Sequence, residues 1–221
     1  ADWPGFALAT SRKAGLPPLA IHAGGKGTID ASSIAARLSG AGLAVSVDGR
    51  VPFHGAGLNV KATGTVPLSL LALSSGRELR LAGNAQLNIT IDGTLAAPRI
   101  SGAADLADAT VVDGQTGFGI SGASGRIVFD RQKATIQQIS GKSPQGGTIT
   151  VAGSITIDQS DLPADLTVRV NNGRYADGNV ISTTLSGDLA VKGPLLGGGV
   201  VSGQITLGRT DIQLPDRFGS S

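Results

Sequence analysis

Thr148-Ile149-Thr150-Val151-Ala152-Gly153-Ser154-Ile155-Thr156-Ile157-Asp158 is the stretch that decides the fold. Ile149, Val151, Ile155 and Ile157 occupy alternate positions with Gly153 in phase, and Thr, Ala, Ser and Asp fill the others. A period of two belongs to a β-strand, whose successive side chains point to opposite faces. The stretch therefore reads as a strand with one dry face and one wet face. The pattern recurs upstream in Leu43, Val45 and Val47, then in Leu58, Val60, Ala62, Gly64 and Val66, and again in Ala85, Leu87, Ile89, Ile91 and Gly93. Downstream it returns in Leu166, Val168 and Val170, in Leu185, Gly187, Leu189 and Val191, and in Val201, Ile205 and Leu207. Strands apolar on one face only favour an antiparallel sheet over a parallel sheet covered by helices.

Asp48-Gly49, Asp92-Gly93, Asp113-Gly114, Asn172-Gly173 and Asp177-Gly178 punctuate these runs and suit tight hairpins or bulges. The connectivity expected is a meander of about 14 strands, which at ~4.8 Å per strand would extend roughly 65–70 Å. Glycines inside the apolar stripe (Gly64, Gly93, Gly153, Gly187, Gly203) mark bulges or kinks, and a sheet kinked repeatedly at mid-strand curls. At four of them, Gly93, Gly153, Gly187 and Gly203, a larger side chain is expected to project into the trough, so that these glycines set its bore as well as its bend. Helix signals are confined to Leu68–Leu73 after Pro67, worth one or two turns, and to Ser33–Leu38 before Gly40. An internal echo links Ile89-Thr-Ile91-Asp-Gly93 and Ile100-Ser-Gly102 to Leu189-Ala-Val191-Lys-Gly193 and Val201-Ser-Gly203, with one extra residue in the second copy. Self-similarity of this kind favours a sheet extended by repeating units.

Composition narrows the function classes. Of 221 residues, 40% are hydrophobic and 15% charged, enough apolar matter to fold and to form one continuous unit over 1–221. Aromatics are 3%, so the apolar surface consists of Val, Ile, Leu and Ala. A net charge of +2, spread without a basic stripe, lacks the footprint of a nucleic-acid binder. The absence of cysteine removes disulfides, zinc-thiolate sites and thiol nucleophiles. No apolar run reaches the 18 residues of a membrane helix. The start at Ala1-Asp-Trp-Pro and the end at Phe218-Gly-Ser-Ser read as those of an excised piece, with any anchor outside it.

The sequence offers no catalytic residues and no metal ligands. Gly117-Phe-Gly119-Ile-Ser-Gly122 fits G-x-G-x-x-G, but Arg126-Ile-Val-Phe-Asp130 after it reads as a strand, not as the helix that would hold a pyrophosphate. His22 and His54 lie in separate segments without metal-binding spacing. No G-x-S-x-G elbow is present, Asp105 and Asp108 read as solvated polar residues, and Asn88-Ile-Thr90 is a glycosylation sequon in strand pattern.

Four stretches in order carry a family resemblance: Ile91-Asp-Gly-Thr-Leu-Ala-Ala-Pro98-Arg-Ile-Ser-Gly102, Gly147-Thr-Ile-Thr-Val-Ala-Gly153, Asn171-Asn-Gly-Arg-Tyr175-Ala-Asp-Gly178, and Leu189-Ala-Val-Lys-Gly-Pro-Leu195 through Ser202-Gly203 to Asp211-Ile-Gln-Leu-Pro215-Asp-Arg-Phe218. Over about residues 80–218 the chain resembles the C-terminal region of the TamB family, the translocation and assembly module subunits related to AsmA-like bridge proteins. The resemblance implies an all-β, elongated, mainly antiparallel curled sheet forming an open U-shaped hydrophobic groove (a β-taco), with at most one or two short helices. It also implies the periplasmic portion of an inner-membrane-anchored protein of a Gram-negative bacterium, with an outer-membrane TamA-like partner. Two roles follow from it: phospholipid transport between the membranes and assembly of outer-membrane β-barrel proteins.

The residues agree that a one-faced sheet must hide its apolar side in a sandwich, a barrel or a ligand-filled groove. Seven aromatics suit neither an immunoglobulin-like core nor the girdles of a membrane barrel. The expected groove lining is Val45, Val47, Leu58, Val60, Leu87, Ile89, Ile91, Ile149, Val151, Gly153, Ile155, Ile157, Leu166, Val168, Leu185, Gly187, Leu189, Val191, Ile205 and Leu207. No cofactor is expected beyond phospholipid or detergent acyl chains in the groove. The alternatives are a chaperone that captures nascent β-barrel strands at a sheet edge and a passive solenoid with a dry core.

Overall fold

The computed structural model describes residues 2–9, 20–27, 31–70, 79–114, 119–143, 146–176 and 181–212. Thirteen strands follow one another: β1 (Asp2–Ala9), β2 (Ala20–Gly27), β3 (Ala31–Gly40), β4 (Leu43–Pro52), β5 (Ala56–Pro67), β6 (Leu79–Thr94), β7 (Pro98–Asp113), β8 (Gly119–Arg131), β9 (Lys133–Lys142), β10 (Thr148–Thr156), β11 (Pro163–Ala176), β12 (Ile181–Pro194) and β13 (Val200–Ile212). They form one sheet in sequence order, each pair of neighbours antiparallel. No pairing among the described residues joins β1 to β13, so the sheet does not close. Twelve spacings of ~4.8 Å give a length of about 58 Å.

No α-helix occurs among the described residues. Leu68–Leu70 form a 3₁₀ turn after β5, and 71–73 of that candidate lie outside the described residues. Ser33–Leu38, the other candidate, is strand β3. Ser32, Ile34, Ala36, Leu38 and Gly40 are partly buried while Ser33, Ala35, Arg37 and Ser39 are exposed, which is the strand period. Pairing on both sides outweighs the helix propensity of its alanines, as tertiary context commonly does.

Several Asx-Gly pairs differ from the expectation of turns. Asp48-Gly49 lies inside β4, with Asp48 opposite Lys61 and Gly49 opposite Val60. Asp92-Gly93 lies within β6, whereas Asn172-Gly173 forms a bulge in β11 between Val170 and Gly173, one of the two geometries expected of it. Gly114 does turn the chain after β7, and Asp177-Gly178 lies outside the described residues. The hairpins close instead at Ala41-Gly42, 53–55, 95–97, Gln132 and 195–198.

The stripe glycines shape the sheet differently from the expectation too. Gly153 has φ 135°, and a Cβ built on it would collide with the Asp165 carbonyl of the neighbouring strand. A Cβ at Gly187 would meet the Gln204 carbonyl in the same way. A side chain at either position therefore enters the hydrogen-bonded ladder, not the trough. These glycines govern how the backbone bends and how closely strands approach, and they do not set the bore.

The sheet is a single layer, and every substantial contact between elements joins sequence neighbours. Leu58 and Val60 are nevertheless only 7% and 8% exposed. No second layer lies above them among the described residues, and a single sheet reaches such burial by curling over itself, so the apolar face is the concave one. The intervening Asn59 and Lys61 are exposed.

Candidate functional site: an open apolar groove

Pairing register carries the alternating residues of separate strands into continuous rows. One runs Leu38, Val45, Gly64, Leu87, Ala104, Ile127, Ile136, Gly153, Leu166, Val191, Val201. A second runs Ala36, Val47, Ala62, Ile89, Gly102, Phe129, Ala134, Ile155, Ala164. A third runs Val66, Ala85, Leu106, Gly125, Ile139, Val151, Val168, Leu189, Gly203. Toward the rims, Val60 and Ile91 lead to Ile100 and Arg131, Leu58 faces Gly93, Ile149 and Val170 lead to Gly187 and Ile205, and Leu185 faces Leu207. Ile157 lies just past β10, its amide donating to the Gln132 carbonyl at 2.8 Å. Nineteen of the residues expected from the sequence thus lie in strands on one face of one sheet, and Ile157 follows the end of β10.

Sequence reasoning missed the contributions of β3, β7, β8 and β9. Ile34, Ala36 and Leu38 were masked by their alanine-rich helical look. In β7 a shift between Leu106 and Ala109 breaks the alternation, and Asp108 takes a positive φ of 50° there. In β9, Ile136 and Ile139 stand three apart because Gln137 and Gln138 oppose the single Ala152 of β10. Spacings of two, then three, then two would have marked such bulged strands.

Four cross-strand ion pairs lie on the opposite face: Asp92–Arg99 at 2.7 Å, Asp105–Arg126 at 3.3 Å, Arg169–Asp188 at 2.6 Å and Lys192–Asp165 at 3.4 Å. All are solvent-exposed, so each adds little stability, but like charges placed opposite would penalise a slipped register. No group of three or more His, Cys, Asp or Glu among the described residues is gathered for a metal ion. His22 and His54 are exposed and on different strands or turns.

At one rim the groove deepens. A hollow of about 740 Å³ lies between the β6–β7 turn, the β8–β9 turn and the residues after β10. Ala56, Gly93, Ala97, Pro98, Ile100 and Ile157 line it together with Arg99, Arg131, Gln132 and Asp158.

Residues 136–218 match the family model of the TamB C-terminal domain. Over that stretch the chain is similar to the TamB family. No curated protein and no solved structure matches the chain. The TamB match covers β10 to β13 entirely and most of β9, the part of the sheet in which the rows run through Ile155, Gly153, Leu166 and Val191. TamB proteins are envelope proteins of a non-enzymatic bridge and assembly family, and the match points to a role in outer-membrane assembly or bridging. No described helix is long and apolar enough to cross a membrane.

Proposed function

We propose that this chain is a non-catalytic lipid conduit, a stretch of a periplasm-spanning, inner-membrane-anchored bridge whose groove carries phospholipid acyl chains toward the outer membrane. The observation that supports this reading is the single apolar face with no layer over it among the described residues. Rows of Val, Ile and Leu about 58 Å long and ~20 Å across amount to an apolar surface on the order of 1,000 Å², beyond what soluble monomers commonly expose. Most of the lining Ile and Leu side chains are partly exposed, and each forgoes a fraction of its transfer free energy, which an acyl chain laid across several rows recovers. No cofactor is needed, and a TamA-like outer-membrane protein is the partner that would receive the cargo.

A second reading draws on β13. Val201, Ile205 and Leu207 are 62%, 54% and 63% exposed, and no strand among the described residues pairs with the outer edge of β13. An apolar edge with free backbone donors and acceptors suits β-augmentation by a nascent outer-membrane barrel strand.

Photocrosslinkers separate the two. Placed at Ile91, Val151 or Val191, they are expected to capture phospholipid, and at Thr90 or Thr150 they are expected to capture none, with mass spectrometry of the purified protein as the readout. Equal labelling from both faces counts against the conduit. Inward probes that capture only protein replace it with the second reading.

A further inference from the structure

The row Val60, Ile91, Ile100 ends at the rim on a cation, because Ile100 pairs in register with Arg131. Arg131 is the first residue of the tight Arg131-Gln132 turn, flanked by the pair Asp130 and Lys133, and its φ is +58°. Glycine or asparagine fills such a position at little cost, whereas an arginine there is strained. Local conformation therefore does not account for this residue. Its side chain is exposed and lines the rim hollow, and Asp158 lines it too. Among the described residues neither side chain has a hydrogen bond or ion pair, and the two do not pair with each other. The third charged group in the lining, Arg99, is held by Asp92 at 2.7 Å. One free cation, one free carboxylate and an apolar wall from Ile100 and Ile157 thus meet where the groove opens to water.

We infer that this hollow seats the zwitterionic headgroup of a phospholipid, Arg131 taking the phosphate and Asp158 the amine, while the acyl chains lie along the apolar rows. The inference rests on the conduit reading and adds a headgroup preference to it. A guanidinium offers paired N–H donors that match phosphate oxygens, and such charge-assisted bonds exceed neutral ones in strength. Placing them at the rim suits an amphiphile, because the headgroup stays partly hydrated while only the chains are desolvated. Asp158 disfavours a purely anionic headgroup by repulsion and rewards an ammonium.

The test measures binding of short-chain phosphatidylethanolamine, phosphatidic acid and diacylglycerol to the full chain, with glycerophosphoethanolamine as the chain-free headgroup. Wild type is expected to prefer phosphatidylethanolamine to diacylglycerol by about tenfold, the scale of one charge-assisted hydrogen bond. Arg131→Gln should bring that ratio near one with diacylglycerol binding unchanged, Arg131→Lys should retain part of it, and Asp158→Asn should erase the advantage of phosphatidylethanolamine over phosphatidic acid. Arg131→Gly should melt no lower than wild type while losing the preference, an outcome that a purely structural role for Arg131 does not allow. Equal wild-type binding of phosphatidylethanolamine and diacylglycerol overturns the headgroup seat and leaves the conduit standing. Tight binding of glycerophosphoethanolamine alone overturns it in favour of a site for a soluble phosphoester. Binding of none of the lipids removes the conduit and the seat together.

Discussion

The hairpins β6–β7 and β12–β13 are near-copies in sequence and in pairing, yet they end in different surroundings. Ile89 faces Gly102 as Leu189 faces Gly203, and Ile91 faces Ile100 as Val191 faces Val201. Their glycines even share backbone conformation, with φ 102° at Gly93 and 91° at Gly193, and 119° at Gly102 and 143° at Gly203. In the interior copy, Ile89, Ile91 and Ile100 are partly buried between flanking strands, whereas Val201 and Ile205 of the outer strand stand more than half exposed. One hydrophobic pattern thus yields a groove wall or an exposed edge depending on what lies beside it. Burial is set by neighbours, because in a single-layer sheet the only shelter for a side chain comes from the strands to either side and the curl they impose.

The sharpest way to break this comparison is a charge on each copy. Ile89→Asp should cost about 3 kcal/mol or more, since its carboxylate would sit unpaired among Ala62, Leu87 and their neighbours. Ile205→Asp should stay within about 1 kcal/mol, because half of its side chain already meets water. Denaturant midpoints measure both, and equal losses would show that position in the sheet does not govern burial.

A smaller contrast is expected at the paired glycines. A Cβ at Gly102 would strike the Asn88 carbonyl and one at Gly203 the Asp188 carbonyl. Gly102→Ala should therefore cost about 2–3 kcal/mol through strain in a conformation nearly reserved for glycine. Gly203→Ala should cost roughly half as much, because an edge strand held on one side can shift away. If the two melting-temperature losses are the same, β13 is held as firmly as β7.

The smallest effects belong to the outer face. Arg99→Ala removes the partner of Asp92, and Lys192→Ala the partner of Asp165, with every participating side chain at least 41% exposed. Each change should lie within about 0.5 kcal/mol and shrink further in high salt. A larger loss at Arg99 alone would mean that the interior hairpin depends on its cross-strand charges in a way that the edge hairpin does not.

The lining was legible where a strand runs unbroken, as from Ile149 to Ile155, because the pleat writes its period directly into the residue order. It was not legible where a bulge resets the phase, as at Gln137-Gln138 and beside Asp108. Nor was it legible at Ala35-Ala36, where two alanines suit either element and pairing with β2 and β4 chose the strand. The turn chemistry misled for a related reason. Asp48-Gly49 can close a hairpin or kink a strand, and only the alignment of Asp48 with Lys61 shows which occurs.

By itself the sequence determined the all-β class, the single apolar face and the echo of one hairpin in another, all of which follow from local residue order and the two-residue pleat. Only the tertiary structure decided that no described strand covers this face, that bulged strands keep their rows in line, and that Ala56, Gly93, Arg131 and Ile157 meet in one rim hollow. Those outcomes depend on which strand lies beside which and on where each ladder slips, and residues dozens of positions apart carry no local pattern that records them.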